Sequence, residues 1–183
     1  MEILFFCPRW GSESLSWSDF YNKVKTSGYA GVEMSLPLDV EEKKEILKKL
    51  KEYDLVFIAQ HWETIDTDFD LHKKNFEKRL RNLASANPLF INSQTGKDYF
   101  SVVQNRELME IANNISQETG IKIVHETHRG KWSFAAHITR HYLESFNDIR
   151  LTLDISHWCN TAESYLQDQK EAVDLAIFHT DHI

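Results

Sequence analysis

The sequence predicts an α/β protein whose parallel strands curl into a (β/α) barrel. Three observations point there. Short β-like runs alternate with longer stretches of helical periodicity along the whole chain. In the run Ile149–Ile155, Ile149, Leu151, Leu153 and Ile155 share one face, and Arg150, Thr152 and Asp154 share the other. One face then packs on helices while the other meets a polar interior, whereas both faces of an open doubly wound sheet carry helices and favour continuous apolar runs. Finally, neither a GxGxxG nor a P-loop glycine pattern occurs, so no phosphate-binding turn supports an open sheet.

The elements follow in order. Ile3–Cys7 reads as a buried strand closed by Pro8 and Gly11, and Trp17, Phe20, Tyr21 and Val24 then mark one face of a helix that stops at Gly28. A second strand covers Gly31–Ser35. Asp39 is placed to cap the next helix, with Ile46, Leu47 and Leu50 on its buried face and a Glu45–Lys49 pair on its solvent face. Leu55–Gln60 is the third strand, and its helix carries Phe76, Leu80 and Leu83 and ends before Pro88. Leu89–Asn92 is the fourth, followed by a stripe of Leu108, Ile111, Ala112 and Ile115 that Gly120 closes. Ile121–Glu126 is the fifth, with Val124 and Glu126 opposite Ile121 and Ile123, and its helix holds Ile138, Tyr142 and Phe146. Ile149–Ile155 is the sixth, followed by one helix containing Leu166, Val173 and Ala176. Ile177–Ile183 is the seventh strand.

Composition bounds the function classes. With 28 acidic against 21 basic residues, the formal charge is −7, which argues against a nucleic-acid or anionic-membrane surface. Apolar stretches reach only about six residues, far short of the roughly 20 a spanning helix needs. No charged n-region and apolar h-region open the chain, and two cysteines, Cys7 and Cys159, make no disulfide framework. A cytoplasmic protein with structural thiols is the expectation. No linker or repeat divides residues 1–183, so a single barrel domain is expected.

The informative polar residues stand late in their strands or just beyond: Glu33, His61, Asn92, Glu126 with His128, and Asp154 with His157, while His179 and His182 occupy the last strand. In a barrel these ends converge on one mouth, where catalytic groups gather. Taken singly, an Asp or His at a strand end is more often a cap. Together, carboxylates and imidazoles form the donor set of one divalent ion such as Zn²⁺, Mn²⁺, Co²⁺ or Mg²⁺, and such an ion polarises a sugar carbonyl or hydroxyl. His125-Glu126-Thr127-His128 is one residue short of HExxH and lies on a strand, so that match is rejected. His72, His137 and His141 read as ordinary helix residues.

In order, Gly28-Tyr29-Ala30-Gly31-Val32-Glu33, then Glu126, then Asp154-Ile155-Ser156-His157 resemble the xylose isomerase-like (β/α)8 superfamily of sugar isomerases and epimerases, which also contains endonuclease IV-type repair enzymes. The resemblance spans essentially the whole chain, and its most specific part is the D-x-x-H that follows a strand ending in glutamate. It implies one metal held by Glu126, Asp154 and a histidine of the seventh strand, His182 in preference to His179. It implies Glu126 and His157 as catalytic groups, and Glu33, His61, Asn92, His128 and Arg129 as contacts to a carbohydrate substrate. Trp10 and Trp62 are candidates for its apolar wall. A complete barrel takes around 250 residues. The expectation is therefore a barrel truncated in the seventh strand, without strand eight, its glutamate ligand or the closing helices. Three function classes stay open: a metal-dependent sugar or sugar-phosphate isomerase/epimerase, an endonuclease IV-type phosphodiesterase, and a truncated barrel without activity whose open edge pairs copies of the chain.

Overall fold

The structure, a computed structural model, describes residues 3–183. Seven strands form one sheet in chain order, and every neighbouring pair is parallel. The strands are β1 (Phe6–Pro8), β2 (Gly31–Met34), β3 (Val56–His61), β4 (Ile91–Ser93), β5 (Ile123–Glu126), β6 (Leu151–Thr152) and β7 (Thr180–His182). Between them run α1 (Trp17–Thr26), α2 (Val40–Glu52), α3 (Phe69–Ala84), α4 (Val102–Thr119), α5 (Ala136–Ser145), α6 (Ile155–Ala162) and α7 (Lys170–Phe178). The sheet curls: His182 on β7 reaches Glu33 on β2 at 3.6 Å and lies edge-on to Phe90, with ring centroids 5.3 Å apart. This is a seven-stranded, truncated TIM-type barrel, and among the described residues β1 and β7 are the sheet edges.

Local chemistry explains the helices. Ser16, Asp39 and Asp68 each accept from the backbone three residues on, satisfying an amide the helix leaves free. Ser101 and Gln104 form a reciprocal capping box at the start of α4, and Gly120 ends it in the left-handed conformation at φ 73°. The Glu45–Lys49 pair is present at 3.2 Å on the exposed face of α2.

Several boundaries differ from the sequence expectation. Ile3–Phe5 precede β1 and are exposed, and Pro8 belongs to the strand. The expected sixth strand shrinks to two residues: Asp154 leaves it to cap α6 by accepting from the Ser156 amide at 3.0 Å, so Ile155 opens a helix and is exposed. The single helix expected next is two, because Glu163 and Leu166 take positive φ (48° and 60°) and break the run. Ile177 and Phe178 finish α7, and His179 caps it instead of lying in β7.

Strand alternation sorts the core. Outward residues Val32, Met34, Phe57, Ala59, Ile91 and Ile123 pack on α1–α4, and Leu151 packs on a second cluster under α5–α7. Inward residues fill the barrel, their register set by Glu33 beside Ile58, Gln60 beside Asn92, and Glu126 beside Thr152. Gly31 stands where the strands approach closely: a Cβ there would meet Val56 O and, at 2.9 Å, Phe6 Cε1. Gly31→Ala is therefore expected to cost about 1–3 kcal/mol by overpacking, read as a lower denaturant midpoint with an unchanged slope.

Candidate active site at the barrel mouth

Two adjoining cavities, about 400 Å³ and 300 Å³, open at the C-terminal ends of the strands. Both are lined by Trp10, Gln60, Glu126 and Asp154. The larger adds Trp62, Gln94, His128 and His157, and the smaller adds Glu33, Asn92, Thr152 and His182 among others. Glu126 and Asp154 thus stand on the ridge between two sets of polar groups. A hollow of about 470 Å³ on the outer surface, beside the start of α7, is remote from this chemistry, and its Arg140 already pairs with Glu144 and Glu171.

Glu126 ends β5 pointing inward and is almost fully buried. Asn92 Nδ2 donates to it at 3.2 Å and to Glu33 at 2.8 Å, so one amide tethers two carboxylates. Gln94 donates to both Glu126 oxygens at 3.3 and 3.4 Å. Burial pushes the Glu126 carboxyl up to about 7; repulsion from Glu33 and Asp154 adds to this, against the Gln94 and Asn92 bonds that favour the anion. Lys131, also buried, is pushed down to about 8, mainly by burial and then by Lys97, and Glu126 and Asp98 hold it up.

His128 and His157 stack beside the carboxylate, with ring centroids 3.9 Å apart. One donor atom each from Glu126, His128 and His157 fall within 4.8 Å of one another. His128 Nδ1 lies 2.7 Å from the Arg129 carbonyl and must donate to it, which leaves Nε2 with a free lone pair. His157 Nδ1 accepts from Arg129 Nε at 3.1 Å, so its proton is on Nε2, facing Asp154 Oδ2 at 3.6 Å. Burial lowers both imidazoles below the usual range and keeps them neutral.

The structure brings Glu33, Asn92, Glu126, His128, Asp154, His157 and His182 to one mouth, but not as the expected metal trio. The donors that converge are Glu126, His128 and His157, while His182 faces Glu33. His179 is excluded from the mouth: it is buried at the opposite end of β7, its Nδ1 2.9 Å from the Ile149 carbonyl. His61 is a correction. It lies on the outer face of β3 with Phe57 and Ala59, fully buried against Phe76, and the inward position is Gln60. Arg129 is exposed and reaches the site through His157. Trp10 and Trp62 are not core residues: 68% and 52% exposed, they wall the cavity at its rim. Sequence reasoning missed Gln60 and Gln94. Gln60 had a usable signal, since it alternates with Ile58 on the face opposite the helix-packed Phe57 and Ala59.

The donor chemistry fits a divalent cation: carboxylate oxygens, a free imidazole lone pair, and two buried acceptors, Asn92 Oδ1 and Thr152 Oγ1, that lack any partner while lining the same space.

No family model matches the chain, and no curated protein is similar to it in sequence. Solved structures are similar in fold. The probable 3-DHS dehydratase AsbF of Bacillus anthracis superposes with a TM-score of 0.67 at 17% identity, over 98% of this chain and 72% of that one. A xylose isomerase-like TIM barrel protein from Mycobacterium smegmatis, solved in complex with magnesium, gives 0.65 at 10% identity, over 96% and 72%. The carboxyl transferase domain of Rhizobium etli pyruvate carboxylase gives 0.56 at 16%, over 86% and 27%. At these identities the likeness is one of architecture, and with the strand order and helix alternation described above it gives this chain a TIM-barrel fold like that of these xylose isomerase-like structures.

Proposed function

We propose that the protein is a divalent-metal-dependent isomerase or epimerase of a sugar or sugar phosphate, moving a proton on the carbon next to a carbonyl. The observation that carries this is the buried Glu126, its pKa near neutrality, set between Asp154 and the His128–His157 pair at the barrel mouth. Glu126, Asp154 and His128 would hold the cation, and His182 enters the same space from β7. When bound, such an ion supplies Lewis-acid polarisation of the substrate carbonyl. That the Mycobacterium smegmatis neighbour was solved in complex with magnesium supports a divalent metal on this fold.

The protein's own groups supply the rest. A carboxyl that titrates near pH 7 exchanges protons readily in both directions, which suits Glu126 to take the proton from carbon as general base. Asn92 and Gln94 fix its two oxygens, so little reorganisation accompanies the transfer. Arg129 holds the His157 ring, whose Nε2–H faces the cavity and can donate to a substrate oxygen. Trp10 and Trp62 offer apolar faces to the C–H side of a sugar and cover it from water. Abstraction next to a carbonyl also begins a β-elimination, and the dehydratase named above shares this fold.

The test is a Mn²⁺ titration by calorimetry, together with NMR of ketoses and ketose phosphates in D₂O. Saturable binding that Asp154→Asn weakens about tenfold or more, with metal-dependent C–H exchange next to the carbonyl, is the expected result. Mn²⁺ affinity equal in wild type and Asp154→Asn, or bound metal with no exchange on any carbonyl sugar, overturns the reading.

A further inference from the structure

Behind the mouth, on the outer face of the sheet, five buried side chains form one hydrogen-bonded line. Thr64 Oγ1 lies 2.7 Å from His61 Nε2, and His61 Nδ1 lies 3.0 Å from Ser93 Oγ. Ser93 Oγ lies 3.0 Å from Thr95 Oγ1, which lies 2.7 Å from His125 Nδ1. All five residues are at most 2% exposed. None is in the cavity, so no step of the proposed chemistry uses them. Yet each strand residue in the line adjoins a residue of the mouth: His61 follows Gln60, Ser93 lies between Asn92 and Gln94, and His125 precedes Glu126. Side chains alternate across a strand, so whatever fixes the outer member of each pair fixes the direction of the inner one.

The proton count ties together the two bonds at His61. Each hydroxyl and each neutral imidazole has one proton to give, and His61 has both ring nitrogens engaged, so it must give through one and accept through the other. The hydroxyl at Thr95 is the sole link between β4 and His125 in this line. A chain of linked hydrogen bonds polarises its members and resists displacement of any one of them.

We propose that the Thr64–His61–Ser93–Thr95–His125 line is a positioning element that holds the ends of β3, β4 and β5 so that Asn92, Gln94 and Glu126 meet in the cavity. Its members are positioning residues that act from the far side of the sheet. The consequence for metal binding rests on the function proposed above; the consequence for the cage around Glu126 does not.

Thr95→Val keeps the shape and removes the hydroxyl, Thr95→Ser restores the hydroxyl, and Thr139→Val deletes a buried hydroxyl bond elsewhere, from Thr139 to the Ala135 carbonyl in α5. Two readouts apply: Mn²⁺ affinity by calorimetry, and the side-chain amide NMR signals of Asn92 and Gln94 in the metal-free protein. Thr95→Val is expected to shift or broaden both amide signals and to weaken Mn²⁺ binding about 10- to 100-fold, the range typical of groups that support a metal ligand. Thr95→Ser and Thr139→Val should leave both readouts as in wild type. If Thr95→Val does not fold, Ser93→Ala cuts the same line and carries the test. Unmoved amide signals in the cut line, or equal changes in Thr139→Val, overturn the proposal. A wild type that binds no Mn²⁺ overturns the metal reading alone, and the amide signals then decide the positioning role.

Discussion

The metal-free protein should lose stability gently as the pH falls from about 6.5 to 4.5, and steeply below that. The cause is the pair of histidines on the outer sheet face. Burial drives His61 down to about 3, helped by the nearby cations Lys131, His72 and Arg79, and drives His125 down to about 4. An unfolded chain protonates both near 6.5, the ordinary value. Below that pH the unfolded state binds two protons that the folded state refuses, so stability falls by about 1.4 kcal/mol per pH unit for each group. Glu126 acts in the opposite sense. Its folded value near 7 exceeds its ordinary 4.5, so the folded state takes up a proton first and gains stability as the pH falls through that window. These three groups alone give a net slope of about 1.4 kcal/mol per unit down to pH 4.5, and the lowered His72, His128 and His157 steepen it. Below pH 4.5 Glu126 no longer offsets the loss, until His125 titrates near 4. Lys131 is already charged on both sides of this range and adds no slope. Against a typical total of about 5–15 kcal/mol, a loss of about 4 kcal/mol between about pH 6.5 and 4 is a large share of the stability. Urea unfolding at steps from about pH 7 to pH 4 checks it, and His61→Gln and His125→Gln should each remove one contribution. A flat profile, or slopes unchanged in both variants, would show that these imidazoles accept protons in place.

The same two histidines show what a sequence can and cannot convey about this fold. The rhythm of strands and helices, the Asp39 cap and the Gly120 terminator were legible because each rests on local chemistry: periodicity, a side chain that accepts from a free amide, a glycine at positive φ. Glu126, Asp154 and His157 were legible because their order and spacing tie them to strand ends. His61 was misplaced by residue type. An imidazole attracts a functional reading, but the face it takes is set by register, and Gln60 pairs with Asn92 across the inside of the barrel. The division of the last helix was out of reach, since it turns on positive φ at Glu163 and Leu166, residues that carry no turn signal. That His128 stands as a donor beside Glu126 and His157, where the sequence suggested a substrate contact, was out of reach for another reason. It depends on the loop after β5 folding back so that Arg129 offers its carbonyl to His128 and its guanidinium to His157. Two residues apart, Glu126 and His128 leave the strand on the same side, and that loop sets the His128 ring against His157.

Glu126→Gln is expected to make the protein more stable and less able to bind metal, and the opposite signs identify what the carboxylate is for. Above pH 7 the folded protein carries an ionised Glu126 in a buried site beside Glu33 and Asp154, although its ordinary value is 4.5. Its raised pKa means that the ionised form opposes folding, by about 3 kcal/mol at a pH above both values. A glutamine of nearly the same shape removes that cost. It also loses the stronger bonds that Asn92 and Gln94 make to an anion, so a gain of about 1–3 kcal/mol in urea unfolding at pH 8 is expected for the metal-free protein. Mn²⁺ affinity should fall by about 100-fold or more, beyond the loss typical of groups that only support a ligand. Exchange at the carbon next to the carbonyl should fall by about 10²–10⁴, the usual contribution of a positioned general base. A structural carboxylate would behave in the reverse way: its removal would lower stability and leave Mn²⁺ affinity untouched. A residue that costs stability where it stands is held there by what it does for a ligand, and at Glu126 both quantities can be read from a single substitution.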